Sequence, residues 1–332
     1  MSLINTIIEK ARGDLKCVAF PEATEEKILL AARDCVDRKI CNPLLVGDED
    51  EIINVANKLN ISLENIDIYD TFNEVKIEKL INLFFTINTI FSVKSLKRKS
   101  KDPMYVALML QAVGDVDITF AGLIHTTGDV IIGGQTMIGF EEGCSTISSV
   151  AIFDVPGYQG SEGNLLAFGD SAVCVNPNAD ELADIAISAC NTVNSLLGWE
   201  PRCAMLSYST CGSSEGELVE KVVKATKIAN DRRPDLKIDG EFQLDSAINP
   251  VVARKKVKKE SFVAGKANII IWPDLNVGNI GVKLVQEFAK ANAYGPMLQG
   301  FKKIVCDCSR GASVSDMVGN IAMSCVRARG VK

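Results

Sequence analysis

The chain has 332 residues, 47% of them hydrophobic and 23% charged, with a formal net charge of −6. That length exceeds one usual hydrophobic core and predicts two domains. The acidic balance excludes general nucleic-acid binding, which wants a basic footprint, while leaving room for a local basic pocket. The 11 cysteines are odd in number and scattered. Many lie in apolar runs (Cys17, Cys174, Cys190, Cys203, Cys325), so a reduced, intracellular protein is expected instead of a disulfide framework.

The first twelve residues read as an amphipathic helix and not a signal peptide, because acids and bases interrupt them. No apolar run approaches the ~20 residues of a membrane span. A cytoplasmic protein that contacts no membrane is expected.

Lys16 to Phe20 reads as a strand, followed by a polar turn at Pro21–Glu25 and a helix through Leu29, Leu30 and Ala32. Pro43 to Val46 and Ile66 to Tyr69 are further strands, with a helix between them. Strands alternating with helices predict parallel βαβ units. Residues 75–113 look helical and hold a basic cluster of Lys94, Lys97, Arg98, Lys99 and Lys101, read either as a solvated helix end or as a phosphate-attracting rim. Asp117 to Gly122 reads as a strand running into a polar turn at Leu123–Asp129. Residues 130–145, rich in glycine, read as a flexible passage, and the domain change is placed near them. Expected units are 1–147 plus 303–332, and 148–302.

Ser148 to Asp154 and Ala172 to Val175 read as strands, and Asn176–Glu181 opens a helix with acids in its first turn, as the helix dipole prefers. Three later strands spill into small polar residues: Cys203–Tyr208 into Ser209–Ser214, Lys237–Asp239 into Gly240–Gln243, and Asn268–Trp272 into Pro273–Asn279. In open α/β sheets, ligands bind at that carboxyl edge.

The same theme is sharpest at Ile304–Asp316. An apolar run ends in Ser309-Arg310-Gly311 and enters a helix whose apolar residues, Val314, Met317, Val318, Ile321 and Cys325, share one face. A helix start offers free N–H groups and the positive end of a dipole, a ready anion site. Arg310 brings a planar fork suited to phosphate, Ser309 a hydroxyl and Asp316 a carboxylate. Ser313 to Asp316 also fits a capping box, so the spacing leaves Asp316 open as a cap partner or a reacting group.

Any histidine chemistry rests on His125, the one histidine. It reads as a structural hydrogen-bonder or, less simply, as a catalytic group, and no Gly-x-Ser-x-Gly elbow supports a serine triad. Cys306-x-Cys308 lacks a second pair at zinc spacing and reads as buried strand. Dinucleotide and Walker-type glycine fingerprints are missing from the sequence. What remains suits catalysis by positioning a phosphate and a nucleophile, with no metal and no resident cofactor.

These residues resemble the phosphotransacetylase (phosphate acetyltransferase) family of the phosphate acetyl/butyryltransferase superfamily over nearly the whole chain. The strongest matches are Ala204-Met-Leu-Ser-Tyr-Ser-Thr-Cys-Gly-Ser213, Arg233-Pro-Asp-Leu236, Asp239-Gly-Glu-Phe-Gln-Leu-Asp245 and Val263-Ala-Gly-Lys-Ala-Asn268. They continue at Pro273-Asp-Leu-Asn-Val-Gly-Asn-Ile280, Tyr294-Gly-Pro-Met-Leu-Gln-Gly300 and Cys308-Ser-Arg-Gly311 with Asp316. The first half matches at Phe20-Pro-Glu22, Leu45-Val-Gly47 and His125-Thr-Thr127 with Asp129.

The resemblance implies a two-domain α/β enzyme with parallel-rich sheets flanked by helices, isocitrate/isopropylmalate dehydrogenase-like, with an active-site cleft between the domains. It implies a homodimeric acyltransferase of acetate metabolism that interconverts acetyl-CoA plus phosphate with CoA plus acetyl phosphate. Coenzyme A is then a substrate and no cofactor is bound permanently. Carried onto this sequence, Asp316 is the base for the CoA thiol, Ser309 stabilises developing charge and Arg310 holds the phosphate. The same carry-over puts substrate-binding residues at Ser207, Ser209, Thr210, Gly212, Ser213, Asn279, Gly295 and Pro296, and at His125, Thr126 and Thr127.

The chain departs from the family at three places where an arginine is usual: residues 84–90, Ile132, and Glu287 within Val282-Lys-Leu-Val-Gln-Glu287. Less positive charge predicts weaker binding of a multiply charged phosphate. It leaves two other readings open: transfer of a propanoyl or butanoyl group, and a paralogue that binds CoA or phosphate without turnover.

Overall fold

The computed structural model describes residues 2–329. The chain divides into two compact units, one built from residues up to Glu141 and from Phe301 onward, the other from Glu142–Gly300.

The first unit opens with α1 (Leu3–Arg12), β1 (Lys16–Phe20), α2 (Glu26–Asp37), β2 (Cys41–Gly47), α3 (Glu49–Lys58) and β3 (Asp67–Asp70). Three helices follow, α4 (Glu74–Ile87), α5 (Val93–Lys99) and α6 (Pro103–Val113), then β4 (Ile118–Ala121) and α7 (Thr127–Met137). The sheet runs β11-β4-β1-β2-β3 and is parallel throughout, its last member being the late strand β11 (Ile304–Asp307). Val18, Ala19, Phe20, Ile118 and Phe120 are fully buried, as a strand covered on both faces requires. The helix after β11, α13 (Val314–Ala328), buries Met317, Val318, Ile321, Ala322 and Cys325, the apolar stripe its spacing predicts.

The second unit carries β5 (Ser148–Asp154), β6 (Leu165–Gly169), α8 (Ala179–Leu197), β7 (Arg202–Leu206), α9 (Glu217–Arg232), β8 (Lys237–Phe242), α10 (Leu244–Ile248) and α11 (Pro250–Lys256). It closes with β9 (Ile269–Ile271), α12 (Leu275–Ala289) and β10 (Asn292–Gln299). The order is β10-β5-β6-β9-β7-β8, parallel from β6 to β8, with β5 antiparallel to β6 and β10 antiparallel to β5. The fold is α/β, with parallel-rich sheets flanked by helices.

Three sequence expectations are corrected. Residues 130–137 belong to the regular helix α7, opened by a capping box at Thr126 and Asp129. Its glycines serve close packing: a Cβ on Gly133 would stand 2.9 Å from Leu108 Cδ1, and one on Gly134 2.6 Å from Phe301 Cε1. Ala172–Val175 is a turn and not a strand, held by N–H groups of Ala172, Val173 and Cys174 on the Asp170 carboxylate. The strand is Leu165–Gly169, lying between β5 and β9, with Leu166 to Gly169 buried in succession, so it shows no polar alternation. The expected strand at Asp117–Gly122 is four residues long, Ile118–Ala121.

Candidate active site

In the first unit, β2 and β3 extend from one side of β1 and β4 and β11 from the other. The carboxyl ends of β1 and β4 therefore flank a switch point, where open parallel sheets leave a crevice. Three turns meet at this edge: residues 21–25 after β1, 122–126 after β4 and 308–313 after β11.

The last turn is built as follows. Cys308 N–H donates to Ala121 O at 2.7 Å, ending the ladder. Ala312 N–H closes back on Ser309 O at 2.9 Å, and Lys27 Nζ on α2 donates to Ala312 O at 2.9 Å. Ser313 caps α13, its hydroxyl accepting from Asp316 N–H while Asp316 Oδ2 accepts from Ser313 N–H at 3.0 Å and its Oγ at 2.7 Å. The capping reading of Asp316 is thus realised, and it uses one carboxylate oxygen; no bond reaches Oδ1 among the described residues. The N–H groups of Ser309, Arg310, Val314 and Ser315 likewise have no protein acceptor among the described residues. Those of Thr127 and Gly128 at the start of α7 are in the same condition. Ser309, Arg310 and Asp316 are exposed, and Arg310 Nη2 donates to Ile124 O at 3.1 Å, leaning across to the neighbouring turn.

That neighbouring turn is organised by Glu22, only 2% exposed. Its carboxylate accepts from the N–H groups of Gly122, Leu123, Ile124 and His125 and from His125 Nδ1 at 2.9 Å. Burial works to raise its pKa, but the imidazole and the N–H donors outweigh it, and the carboxyl lies below its usual range. The other ring nitrogen, Nε2, faces Asp102 Oδ1 at 3.4 Å. Asp102 and Glu22 together hold the imidazole charged, with its pKa raised to about 10. His125, expected among the substrate-binding groups, has both nitrogens engaged by carboxylates and acts as the anchor of the β4–α7 turn. Thr126 and Thr127 are exposed at the α7 start. Thr126 caps the helix with Asp129, and Thr127 Oγ1 donates to Asp307 Oδ2 at 2.7 Å.

In the second unit, the β7–α9 turn is closed upon itself. Glu241, 4% exposed, accepts from Ser209 Oγ at 2.9 Å and Gly212 N–H at 2.8 Å. Thr210 Oγ1 accepts from Gln243 N–H at 2.9 Å and pairs with Ser246 Oγ. Ser209 and Thr210, expected to bind substrate, are buried and shape the loop in this conformation. Gly212 and Ser213 stand exposed on it, and Ser207 is half-buried. Asn279, exposed on α12, donates from Nδ2 to Ser171 O, just beyond the end of β6. Gly295 and Pro296 form the bulge of β10, whose flanking residues pair with Ile152 and Val150.

The structure thus groups Ser309, Arg310, Asp316, His125, Thr126 and Thr127 at one sheet end. It groups Ser207, Ser209, Thr210, Gly212 and Ser213 in one turn of the other unit. Sequence reasoning missed Lys27, Asp102 and Asp307, and quoted Glu22 without a role. The proline-glutamate pair directly after a buried strand was the available signal for Glu22; Lys27 and Asp102 carry none.

Where arginines are absent, the structure shows Ile132 56% exposed on α7 and Glu287 on α12 loosely paired with Lys290 at 4.0 Å. Ile87 and Ile90, near the end of α4, are exposed too.

A model of the phosphate acetyl/butaryl transferase family matches residues 2–325. A phosphate acetyltransferase of Acetivibrio thermocellus is 39% identical over 334 residues, covering 100% of both chains. One of Clostridium acetobutylicum is 41% identical over 331 residues, covering 99% of each. The solved structure of a phosphotransacetylase from Streptococcus pyogenes is similar with a TM-score of 0.90 at 32% identity, again over 99% of each chain.

Proposed function

The chain belongs to the phosphate acetyl/butaryl transferase family and is an acyltransferase with phosphate acetyltransferase function, and we propose that its chemistry runs through the Ser309–Asp316 turn. The observation that carries this reading is the turn itself. A guanidinium, a hydroxyl, and, among the described residues, backbone N–H groups without an acceptor and a carboxylate with one unengaged oxygen lie within eight residues at the carboxyl end of β11.

In the direction of acetyl-CoA synthesis, Asp316 Oδ1 takes the proton of the CoA thiol. A thiol has a reference pKa near ~8.5, so a base beside it supplies the nucleophile at neutral pH. The thiolate attacks the carbonyl carbon of acetyl phosphate within a ternary complex. The carbonyl oxygen gains charge, and the Ser309 hydroxyl and N–H groups of the turn stabilise it, one such donor contributing roughly 3–4 kcal/mol of barrier. The carbon–oxygen bond to phosphate then breaks, and phosphate leaves with the bonding pair, held by Arg310. The reverse direction uses the same groups, with phosphate as nucleophile. No metal or resident cofactor takes part in this scheme. Ser207, Gly212, Ser213, Asn279, Gly295 and Pro296 are proposed as further substrate contacts.

A second acyl preference has one observation in its favour. Ile132 presents an apolar side chain on α7 where the family usually has arginine, which suits a propanoyl or butanoyl chain. One methylene in such a pocket changes specificity by only ~1–3 kcal/mol, so overlap with acetyl is expected.

The reading extends to a homodimer in the cytoplasm that serves acetate metabolism. Val277, Ile280, Leu284 and Phe288 form one exposed apolar row on α12, and such a row suits a partner subunit. No helix among the described residues is long and apolar enough to cross a membrane.

The test supplies purified protein with acetyl-CoA and phosphate. Free thiol should be released in proportion to acetyl phosphate formed. Folded protein that releases none across a wide phosphate range overturns the reading, and CoA binding without turnover would identify a non-catalytic paralogue.

A further inference from the structure

Asp307 closes β11, two residues before Ser309, and its carboxylate sits unlike the other acids of the turn. Oδ2 accepts the Thr127 hydroxyl at 2.7 Å, whereas Oδ1 is buried with no hydrogen-bond partner among the described residues. It is also confined. Gly122 holds φ +110°, and a Cβ there would stand 2.2 Å from Oδ1.

The charged groups around it are engaged elsewhere. Glu22, from the β1–α2 turn, is a second buried carboxylate that repels it. His125, in the β4–α7 turn, lies between Glu22 and Asp102. Asp129, in the first turn of α7, bonds Thr126. Arg310 and Lys27 donate to carbonyls of Ile124 and Ala312. Burial first, and then Glu22, push the Asp307 pKa up to about 6, against the lowering effect of the Thr127 hydroxyl and Cys308 N–H.

The Thr127 hydroxyl has one hydrogen. While Asp307 is a carboxylate, that hydrogen is turned to Oδ2, and the hydroxyl shows an arriving anion only lone pairs. The N–H groups of Thr127 and Gly128, at the same helix start, lack an acceptor among the described residues. An anion there would add negative charge beside Asp307, Glu22 and Asp129, and it needs the hydroxyl's hydrogen.

We propose that Asp307 takes up one proton from solvent when a tetrahedral dianion settles at the start of α7, and that Asp307 then donates to Thr127 Oγ1 and frees the Thr127 hydrogen for the anion. One O–H bond forms at Asp307, the buffer gives up that proton, and the Thr127 O–H bond stays intact. Asp307 is therefore a positioning residue that acts through Thr127. The inference rests on the reading of this edge as the phosphate site.

Calorimetric titration of the full chain with sulfate, in buffers of different ionisation enthalpy, tests it. Sulfate carries no titrating proton near neutrality, and His125 stays charged there, with its pKa at about 10. Above the Asp307 titration, roughly one proton should enter per sulfate bound, and affinity should weaken by up to about tenfold per pH unit. Below about pH 5 the uptake should vanish, because the proton is already present. Asp307→Asn, whose amide is a permanent donor to Thr127, should keep sulfate binding with almost no uptake. Sulfate binding without uptake in the native protein, or undiminished uptake in Asp307→Asn, overturns the inference and leaves the phosphate reading standing. No sulfate binding overturns the phosphate reading and this inference with it. Should Asp307→Asn fail to fold, the native protein decides: sulfate affinity that is flat between about pH 5 and 8 refutes the coupling.

Discussion

At the end of β11, the turn from Ser309 to Ser315 leaves the N–H groups of Ser309, Arg310, Val314 and Ser315 without an acceptor among the described residues. At the end of β7, every N–H from Ser209 to Ser214 has one. Both turns follow a buried parallel strand, both are small and polar, and a buried glutamate lies near each. They differ in where that glutamate sits. Glu241 comes from the neighbouring strand and bonds the β7 turn itself, so the loop is saturated from within. Glu22 saturates the turn after β4 and leaves the β11 turn and the first N–H groups of α7 for something else. Small polar residues at a strand end are thus no measure of a ligand site. The count of donors left over separates the two turns, and it favours the first unit for the anion chemistry proposed above.

The largest effect that would break this contrast comes from the two glutamates. Glu22→Ala strands four backbone donors and a charged imidazole, and should cost on the order of 3–5 kcal/mol of stability. Glu241→Ala strands one N–H and one hydroxyl, and about 1–3 kcal/mol is expected. Urea unfolding of both proteins measures the pair, and equal losses would remove the distinction.

Arg310→Ala should raise the KM for phosphate about 10²-fold, the value of one charge-assisted contact, with the KM for CoA nearly unchanged. Ser213→Ala, in the saturated turn, should leave the phosphate KM within about threefold, since a neutral hydrogen bond contributes little net. Steady-state kinetics with each substrate varied in turn separates them.

His125 gives a pH signature. Its folded pKa, about 10, lies above the unfolded value of 6.5. Stability from its charged pairs is therefore complete below pH 6.5 and is lost as pH rises toward about 10. Asp102→Asn should flatten that decline, as seen in urea midpoints between the two limits; an unchanged slope would show that the pairing with Asp102 has no weight.

Ile132→Arg should lower the phosphate KM, by up to about fivefold, if the exposed start of α7 is the anion edge, because a surface charge contributes at most about 1 kcal/mol. A rise in KM would place the anion elsewhere.

Much of this was legible in the sequence. The βαβ alternation, the turn at Ser309-Arg310-Gly311 and the capping box at Ser313 and Asp316 are local patterns, and local patterns survive folding. Glu22 was quoted but its role was not legible, because its partners lie a hundred residues away and only the pairing of β1 with β4 brings them together. Gly133 and Gly134 mark a flexible passage by composition, yet they admit Leu108 and Phe301 to the helix surface, which composition does not encode. The strand β6 was passed over for Ala172–Val175 because both runs are apolar, and only Asp170 decides which one bends. For Asp316, spacing left a cap and a base equally open; the cap is formed, and it uses Oδ2 alone among the described residues.

The central claim is that the unengaged oxygen of Asp316 is the base. Asp316→Asn, measured by thiol-coupled turnover alongside urea unfolding, tests it most directly. Turnover should fall by ~10²–10⁴-fold, in kcat more than in KM, because the carboxylate acts as the bond to sulfur forms. Stability should fall by about 1 kcal/mol or less, the contribution of one cap partner. A stable Asp316→Asn protein with full turnover would leave Asp316 as a helix cap alone and contradict the mechanism.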